Sequence, residues 1–185
     1  DDSGPAAPSV ATVAASGIGA TAATANGNVP DDGGDTVTER GVVYKTSSGV
    51  AITDNPTAAA AGGEGAYGVD LSSRDVNQIY YFRAYAINGV YTTLAANELN
   101  FWTLANVPAA PTVGNPTATT LDVAVNANGN PASTEFAIQR TSDSQYLQAD
   151  GTFGASEDWQ TATEWDTTAA TGLTPETEYF FQVKA

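Results

Sequence analysis

The sequence TEYFFQVKA at residues 177–185 decides the fold, because an earlier copy, QIYYFRAYA, stands at residues 78–86. Apolar residues occupy every second position of both copies, as a strand with one buried face requires. The matched pairs are Tyr80 with Tyr179, Phe82 with Phe181, Ala84 with Val183, and Ala86 with Ala185. Pro175 precedes the second copy and cannot donate into a ladder, so it marks a strand boundary.

A second landmark repeats at nearly the same separation. The sequence PAAPSV at residues 5–10 returns as PAAPTV at residues 108–113. Two independent landmarks at nearly the same spacing indicate an internal repeat of about one small sandwich domain each. The sequence therefore predicts two domains, residues 1–104 and residues 105–185, joined by a short Pro-rich segment that favours extended backbone.

Strand signals fill both domains. In the first domain they are SVATVAAS, VTERGVVYKT and GAYGVDL, and Asn88-Gly89 is a strong hairpin signal before a final strand within VYTTLAANELNFWTL. In the second domain, Leu121, Val123 and Val125 alternate on one strand, and Phe136 and Ile138 on the next. The segment YLQADGTFGASEDWQTATEW is expected to carry the crossing strands.

These segments resemble the fibronectin type III repeats of bacterial secreted and cell-surface proteins. RGVVYKTS and YYFRAYAIN carry the resemblance in the first domain, and NGNPASTEFAIQ and GLTPETEYFFQVKA carry it in the second. The resemblance implies an all-β protein of two tandem immunoglobulin-like (fibronectin type III) β-sandwiches. It also implies that Tyr80 and Tyr179 are the corner tyrosines of strand F.

The second domain ends at strand F, although a sandwich of this type needs a strand G beside F. An unpaired edge for assembly is therefore predicted at Thr177, Tyr179, Phe181, Val183 and Ala185. Two explanations stay open: the natural chain continues as a longer array, or a neighbouring molecule donates a strand. Residues 1–7 lack large apolar side chains and make a poor donor, which favours the first explanation.

Composition narrows the function classes. The chain has 21 acidic and 6 basic residues and a net charge of -15, which disfavours nucleic acid and anionic lipid as partners. No apolar run approaches the roughly 18 residues of a membrane span, so no membrane insertion is expected. Without histidine or cysteine, the commonest nucleophiles and acid–base groups are missing, and we expect no enzyme activity. An acidic, sulfur-free chain suits an extracellular or bacterial cell-surface location.

Three carboxylates share the loop DDGGD. Asp31, Asp32 and Asp35 are hard oxygen ligands of the kind that Ca²⁺ prefers, and the glycines between them let the backbone wrap. A polar turn between two strands explains the same residues. Ca²⁺ is the one cofactor that the sequence suggests.

Three aromatic residues crowd the second domain. If exposed and coplanar, Trp159, Trp165 and Tyr146 form a glycan platform for stacking sugar rings; if they point inward, they belong to the core. At the end of the first domain, Phe101 and Trp102 are adjacent, so only one of them can enter the core.

The leading hypothesis is a non-enzymatic structural or adhesive module of a bacterial surface array, stalk or filament. Its partners are neighbouring copies or adjacent domains of the same chain, and a strand from a neighbouring subunit is one way to complete the second sandwich. The alternative is a carbohydrate-binding or spacer module of a secreted carbohydrate-active enzyme, with polysaccharide as the partner.

Overall fold

The computed structural model describes residues 4–59 and 61–185. The chain divides into two compact units, Asp1–Leu104 and Ala105–Ala185. Within the described residues, none of the helical structure is long and apolar enough to cross a membrane.

The first unit is a sandwich of two antiparallel sheets. Its strands are β1 (Ser9–Ser16), β2 (Ala23–Asp31), β3 (Glu39–Lys45), β4 (Thr57–Ala58), β5 (Gly65–Leu71), β6 (Ile79–Ile87), β7 (Thr92–Leu94) and β8 (Leu99–Trp102). One sheet has the order β1-β2-β5, and the other has the order β4-β3-β6-β7, with β8 also pairing with β6. Because β6 is paired with β3 on one side and with β7 and β8 on the other, both of its edges carry ladder partners.

The core of the first unit lies between its two sheets. Val42, Phe82 and Phe101 are buried together there. Phe101 is 4% exposed whereas the neighbouring Trp102 is 55% exposed, so only the first of this adjacent pair enters the core. The ring of Phe101 stacks on Tyr80 with centroids 5.7 Å apart and meets Phe82 edge to face at 5.9 Å.

Tyr67 ties the two sheets of this unit together. From β5, its hydroxyl donates to the carbonyl of Gly41 at 2.8 Å and lies 3.1 Å from the carbonyl oxygen of Tyr85, both in the facing sheet. The ring crosses Gly27, where an added Cβ would lie 2.5 Å from it. Glycine in the middle of β2 is therefore explained by the close approach of this ring.

The final strand of the first unit is interrupted, although the sequence pattern predicts one strand. Residues 95–98 separate β7 from β8, and their polar groups make contacts outside the ladder. Glu98 accepts the backbone N–H groups of Gly49 and Val50, and the side chain of Asn97 accepts the N–H of Thr12 and donates to its carbonyl. These side-chain bonds hold the interruption in place.

The second unit is also a sandwich. Its elements are β9 (Ala109–Gly114), β10 (Leu121–Asn126), β11 (Glu135–Arg140), β12 (Gln145–Leu147), β13 (Phe153–Gly154), β14 (Gln160–Thr161), α1 (Ala162–Trp165), β15 (Thr167–Ala170) and β16 (Phe181–Lys184). One sheet has the order β15-β10-β9. The other has the order β13-β12-β11-β14, and β16 pairs with β11. Val123, Phe136, Ile138 and Trp165 are buried between the two sheets.

The turn of helix α1 was not expected from the strand pattern. Thr161 is its N-cap and accepts the N–H of Glu164, whose carboxylate in turn accepts the N–H of Thr161. This reciprocal pair is a capping box, and the spacing Thr-x-x-Glu is its sequence signature. The capped turn places Trp165 in the core, where its indole N–H donates to the carbonyl of Phe136 at 2.7 Å.

Candidate functional site

Strand β16 is paired on one side only. It runs antiparallel to β11, with Ala137 opposite Lys184 and Arg140 opposite Phe181. β9 also lies near β16, but no ladder joins them. Among residues 4–59 and 61–185, no strand pairs with the side of β16 that faces away from β11, and we call this side the open edge of β16.

The register identifies the residues whose backbone faces the open edge. The N–H of Thr141 donates to the carbonyl of Phe180 at 2.9 Å, so Phe180 is a hydrogen-bonded partner in the β11 ladder. In an antiparallel pair such positions alternate with positions whose N–H and C=O point to the other side. The backbone groups of Phe181 and Val183 therefore point to the open edge; the use of this edge for assembly, predicted at Thr177, Tyr179, Phe181, Val183 and Ala185, stays a prediction.

The matching strand of the first unit shows what fills such an edge. Tyr80 and Phe82, the equivalents of Tyr179 and Phe181, pair with Phe101 and Leu99 of β8. At Ala84, the N–H donates to the hydroxyl of Thr12 at 3.0 Å, and the carbonyl accepts the N–H of Ala95 at 2.8 Å. The first unit thus satisfies this edge within its own chain.

The residues of β6 are also more deeply buried than the equivalent residues around β16. In the first unit Tyr80 is 4% exposed, and Phe82, Ala84 and Ala86 are fully buried. In the second unit Tyr179, Phe181 and Val183 are only partly buried, and Thr177 and Ala185 are exposed. Phe180, on the outer face, is 59% exposed. The apolar side chains of the open edge therefore lack the cover that β8 provides in the first unit.

The strand predicted at residues 177–185 is shorter in the structure, where β16 is Phe181–Lys184. In the first unit, β6 begins at Ile79, which pairs with Trp102 of β8. The corresponding residue, Glu178, has no second ladder to extend the strand. We attribute the difference in length to the unpaired edge.

Both predicted corner tyrosines make the expected bond. The hydroxyl of Tyr80 accepts the backbone N–H of Asp75 at 3.0 Å, and that of Tyr179 accepts the N–H of Thr174 at 2.8 Å. The hydrogen bond from Thr174 lowers the pKa of Tyr179, because it stabilises the charged phenolate. The bend before the strand is therefore held in the same way in both units.

The three aromatic residues proposed as a glycan platform do not lie together. Trp165 is 1% exposed and belongs to the core, because α1 turns it inward to the Phe136 carbonyl. Trp159 is 40% exposed and Tyr146 is partly buried. The prediction that Trp165 belongs to a surface platform is therefore wrong. The rings of Trp159 and Tyr146 remain near the surface.

Lys184 covers those two remaining rings. Its ammonium lies 4.9 Å from the ring centroid of Tyr146 and 5.6 Å from that of Trp159. It also forms an ion pair with Glu157, whose carboxylate accepts the indole N–H of Trp159 at 2.9 Å. The ion pair lowers the pKa of Glu157 and raises the pKa of Lys184. Sequence reasoning did not find this cluster, because Lys184 is distant in sequence from both rings.

The loop carboxylates proposed as calcium ligands each bind backbone. Asp31 accepts the N–H of Gly33 at 2.7 Å, and Asp32 accepts the N–H of Gly34 at 2.8 Å. Asp35 accepts the N–H of Gly89 at 2.9 Å. In the part of the chain that the structure describes, no group of three or more acidic side chains is placed to hold a metal ion. The Ca²⁺ site stays a prediction, which a melting temperature raised by Ca²⁺ and lowered by a chelator would support.

The sheet orders, the corner tyrosines and the alternation of buried residues define two tandem sandwiches of the fibronectin type III kind. Among the described residues, the second sandwich has no strand G. No protein family profile matches the sequence, and no curated protein matches it. Among solved structures, the chain is similar to a segment of two fibronectin type III domains from chicken tenascin. The identity is 10% and the TM-score 0.53, over 95% of this chain and 89% of that one.

A second solved structure is similar over part of the chain. It is the sensor domain of the anti-sigma factor RsgI4 from Pseudobacteroides cellulosolvens, with 18% identity and a TM-score of 0.40. The match covers 55% of this chain and 98% of that one. The likeness to the tenascin segment, at its low identity, shows the fold, and the fold class predicted from the sequence is confirmed.

Proposed function

We propose that this chain is a non-enzymatic structural or adhesive module that assembles through the open edge of β16. One observation carries the proposal: the edge that β8 occupies on β6 has no strand on β16 among the described residues. A free edge offers a row of N–H and C=O groups to an incoming strand, and backbone hydrogen bonds of this kind give affinity in strand addition.

The setting we propose is a bacterial surface array, stalk or filament outside the cell. Neighbouring copies, or adjacent domains of the same chain, are the partners, and each sandwich serves as a spacer of fixed length. The net charge of -15 supports this setting, because it disfavours binding to nucleic acid and to anionic lipid.

The proposal is tested by removing one donor from the open edge. The N–H of Val183 faces away from β11, so Val183→Pro deletes a hydrogen bond to an incoming strand while the β11 ladder stays intact. Val183→Ala is the matched control, because it removes a comparable side chain and keeps the N–H. Both full-length variants are expressed in the producing organism, and the amount of chain in sedimentable surface assemblies is measured.

We expect Val183→Pro to lower the assembled amount by about tenfold or more, because a ladder bond is lost and the proline ring blocks the approach. Val183→Ala is expected to assemble close to the unmodified level. Amide hydrogen exchange at Phe181 should also be fast in the purified chain and slow in the assembly. Equal assembly of both variants, with no added protection at Phe181, would contradict the proposal.

A carbohydrate-binding module is the second candidate, and the 40% exposure of Trp159 favours it. Sugar rings stack on exposed aromatic faces. Trp159→Ala should then abolish retention on a polysaccharide column, whereas Trp102→Ala, at another exposed tryptophan, should leave it unchanged. Retention that is unaffected by Trp159→Ala, or absent from the unmodified chain, excludes this candidate.

A further inference from the structure

An asparagine followed by glycine is a chemically labile pair, because the backbone nitrogen of the glycine can attack the side-chain amide carbon of the asparagine. The chain contains three such pairs, Asn26-Gly27, Asn88-Gly89 and Asn128-Gly129. Glycine has no side chain to obstruct its nitrogen, so the three pairs share the same intrinsic reactivity. Their surroundings in the folded chain therefore decide which of them reacts.

Both pairs of the first unit are fixed by hydrogen bonds. Gly27 is buried in the middle of β2 and pairs with a strand on each side, and the amide of Asn26 donates to two groups of β1. Asn88 is 3% exposed, and its side-chain oxygen accepts two backbone N–H groups. The N–H of Gly89 donates to the carboxylate of Asp35 at 2.9 Å. In both pairs the reacting groups are therefore held apart by the fold.

The pair Asn128-Gly129 has no such protection. It forms the turn between β10 and β11, and both residues are exposed. Among residues 4–59 and 61–185, no group accepts the N–H of Gly129. Both residues have left-handed backbone, with φ of 49° and 76°, and the turn is closed by one backbone bond, from the N–H of Asn130 to the carbonyl of Ala127 at 3.1 Å. Local opening of this turn brings the glycine nitrogen to the side-chain carbon.

The same turn binds the first residues of the second unit. The Nδ2 of Asn128 donates to the carbonyl of Val107 at 2.9 Å, and the carbonyl of Asn128 accepts the Nδ2 of Asn106 at 3.2 Å. The N–H of Asn106 donates to the Oδ1 of Asn130 at 2.7 Å, and the Nδ2 of Asn130 donates back to the carbonyl of Asn106 at 2.8 Å. We call Asn106, Val107, Asn128 and Asn130 the asparagine clamp. Asn128 takes part in the first two of these bonds.

We infer that Asn128 is a site of spontaneous deamidation, and that the reaction opens the asparagine clamp. The backbone nitrogen of Gly129 forms a bond to the side-chain carbon of Asn128. The bond from that carbon to Nδ2 breaks, and the side-chain nitrogen leaves as ammonia with the proton from the glycine nitrogen. Water then adds to either carbonyl of the five-membered imide and breaks one of its C–N bonds. The product is aspartate or isoaspartate, and the reaction consumes only water.

Either product weakens the asparagine clamp. A carboxylate accepts hydrogen bonds and does not donate them, so an aspartate at position 128 cannot bind the carbonyl of Val107 and repels it instead. In isoaspartate the main chain runs through the former side-chain carbon, which displaces the carbonyl that accepts from Asn106. The turn therefore loses part of its hold on residues 106–107 as the protein ages.

The first test measures which pair reacts. The full-length protein is incubated in neutral and in mildly alkaline buffer, and peptide mapping by mass spectrometry follows all three asparagines. We expect Asn128 to convert about tenfold or more faster than Asn26 and Asn88, because the hydrogen bonds around those two must open first. The rate should rise with pH, since the attacking nitrogen must lose its proton. In concentrated urea the three pairs should convert at similar rates, because the fold no longer protects two of them.

Several results would overturn the assignment of this site. Equal conversion of the three pairs in the folded protein would do so, and so would faster conversion of Asn26 or Asn88. Conversion of Asn128 in urea but not in the folded protein would mean that the turn does not open far enough. Aspartate formed at position 128 without any isoaspartate would exclude the imide step.

The second test measures the effect on the asparagine clamp. Asn128→Asp reproduces one product, and Asn126→Asp is the matched control. The control adds the same charge to the same turn, and its side-chain oxygen still accepts the N–H of Asn128. Amide hydrogen exchange at Asn106 is the measurement. We expect Asn128→Asp to accelerate this exchange by about fivefold or more and Asn126→Asp to leave it unchanged, because only the first removes a hydrogen bond of the clamp. Equal acceleration by both variants, or by neither, would overturn the proposed opening of the clamp.

Discussion

The hydroxyl of Tyr179 lies 2.8 Å from the backbone nitrogen of Thr174, and it accepts a hydrogen bond across the bend that leads into β16. The same bond joins Tyr80 to Asp75 at 3.0 Å in the first unit. The two bonds differ in their surroundings, because Tyr80 is buried beneath Phe101 whereas Tyr179 is only partly buried. Comparing these two hydrogen bonds separates the strength of the bond itself from the effect of burying the tyrosine.

Replacing each corner tyrosine by phenylalanine should destabilise its own unit to a different degree. Tyr80→Phe is expected to cost about 2 kcal/mol, because it leaves the N–H of a part-buried hydrogen bond without an acceptor. Tyr179→Phe is expected to cost about 1 kcal/mol or less, because water can replace the lost acceptor. Urea denaturation of the full chain measures both values. A larger loss of stability from Tyr179→Phe than from Tyr80→Phe would contradict the argument that burial of the tyrosine raises the cost of losing its hydrogen bond.

Replacing Glu176 by asparagine, the residue at the equivalent position of the first unit, should stabilise the second unit. The φ of Glu176, 55°, is left-handed backbone, which asparagine tolerates better than glutamate. Glu176→Asn is expected to stabilise the second unit by about 0.5 kcal/mol, and Thr177→Asn at an exposed neighbour should not. The melting temperature of the second unit is the measurement. No difference between the two variants would contradict the argument from backbone strain.

The two tryptophans of the second unit should respond very differently to truncation. Trp165→Ala is expected to cost about 4 kcal/mol, because it leaves a cavity in the core and an unpaired Phe136 carbonyl. Trp159→Ala is expected to cost about 1 kcal/mol or less, because the ring is 40% exposed. Calorimetry of the full chain distinguishes them. Similar costs at both positions would mean that the assignment of Trp165 to the core is incorrect.

The first unit should lose stability in alkaline solution. Burial raises the pKa of Tyr67 from 10.0 to about 12, and burial together with the hydrogen bond to Glu39 raises the pKa of Tyr85. Because the folded protein holds these protons more tightly than the unfolded chain, their contribution is complete below pH 10. It is lost as the pH rises through about 12, by on the order of 2 kcal/mol at most for Tyr67, because solvent screens part of the effect at a partly exposed ring.

Urea denaturation between about pH 10 and pH 12 shows whether the free energy of unfolding falls, and over which pH range it does so. Tyr67→Phe should flatten the dependence, although it lowers the stability at neutral pH by removing the bond to Gly41. Tyr91→Phe, at an exposed ring, is the matched control and should keep the slope. Stability that rises between pH 10 and 12 would contradict the assignment.

Local signals in the sequence were sufficient for the strands that have one buried face. The pattern GAYGVDL coincides with β5, Gly65–Leu71, and SVATVAAS coincides with β1, Ser9–Ser16. Phe136 and Ile138, expected inward on one strand, are both fully buried. In β5 the buried residues Val69 and Leu71 lie on one face, so period-two alternation was enough to identify its core side.

Features that depend on contacts between distant residues were missed. The interruption between β7 and β8 rests on bonds to Thr12 and Gly49, far away in sequence. Trp165 could be core or surface until the turn of α1 directed it inward, although the capping box Thr161 to Glu164 was a usable signal. The cluster of Lys184 with Tyr146 and Trp159 arises only when separate strands and loops meet.

The amino-acid sequence by itself determined the repeat, the all-β class and the alternation of faces along strands such as β5 and the two copies of strand F, because alternation and turn residues are local properties of the chain. The tertiary structure decided how deeply those faces are buried. Phe82 and Phe181 hold the same place in the same pattern, yet Phe82 is fully buried and Phe181 only partly so. The reason is physical: burial of a strand residue depends on the neighbouring strand, and β8 lies beside Phe82 while the edge beside Phe181 is open.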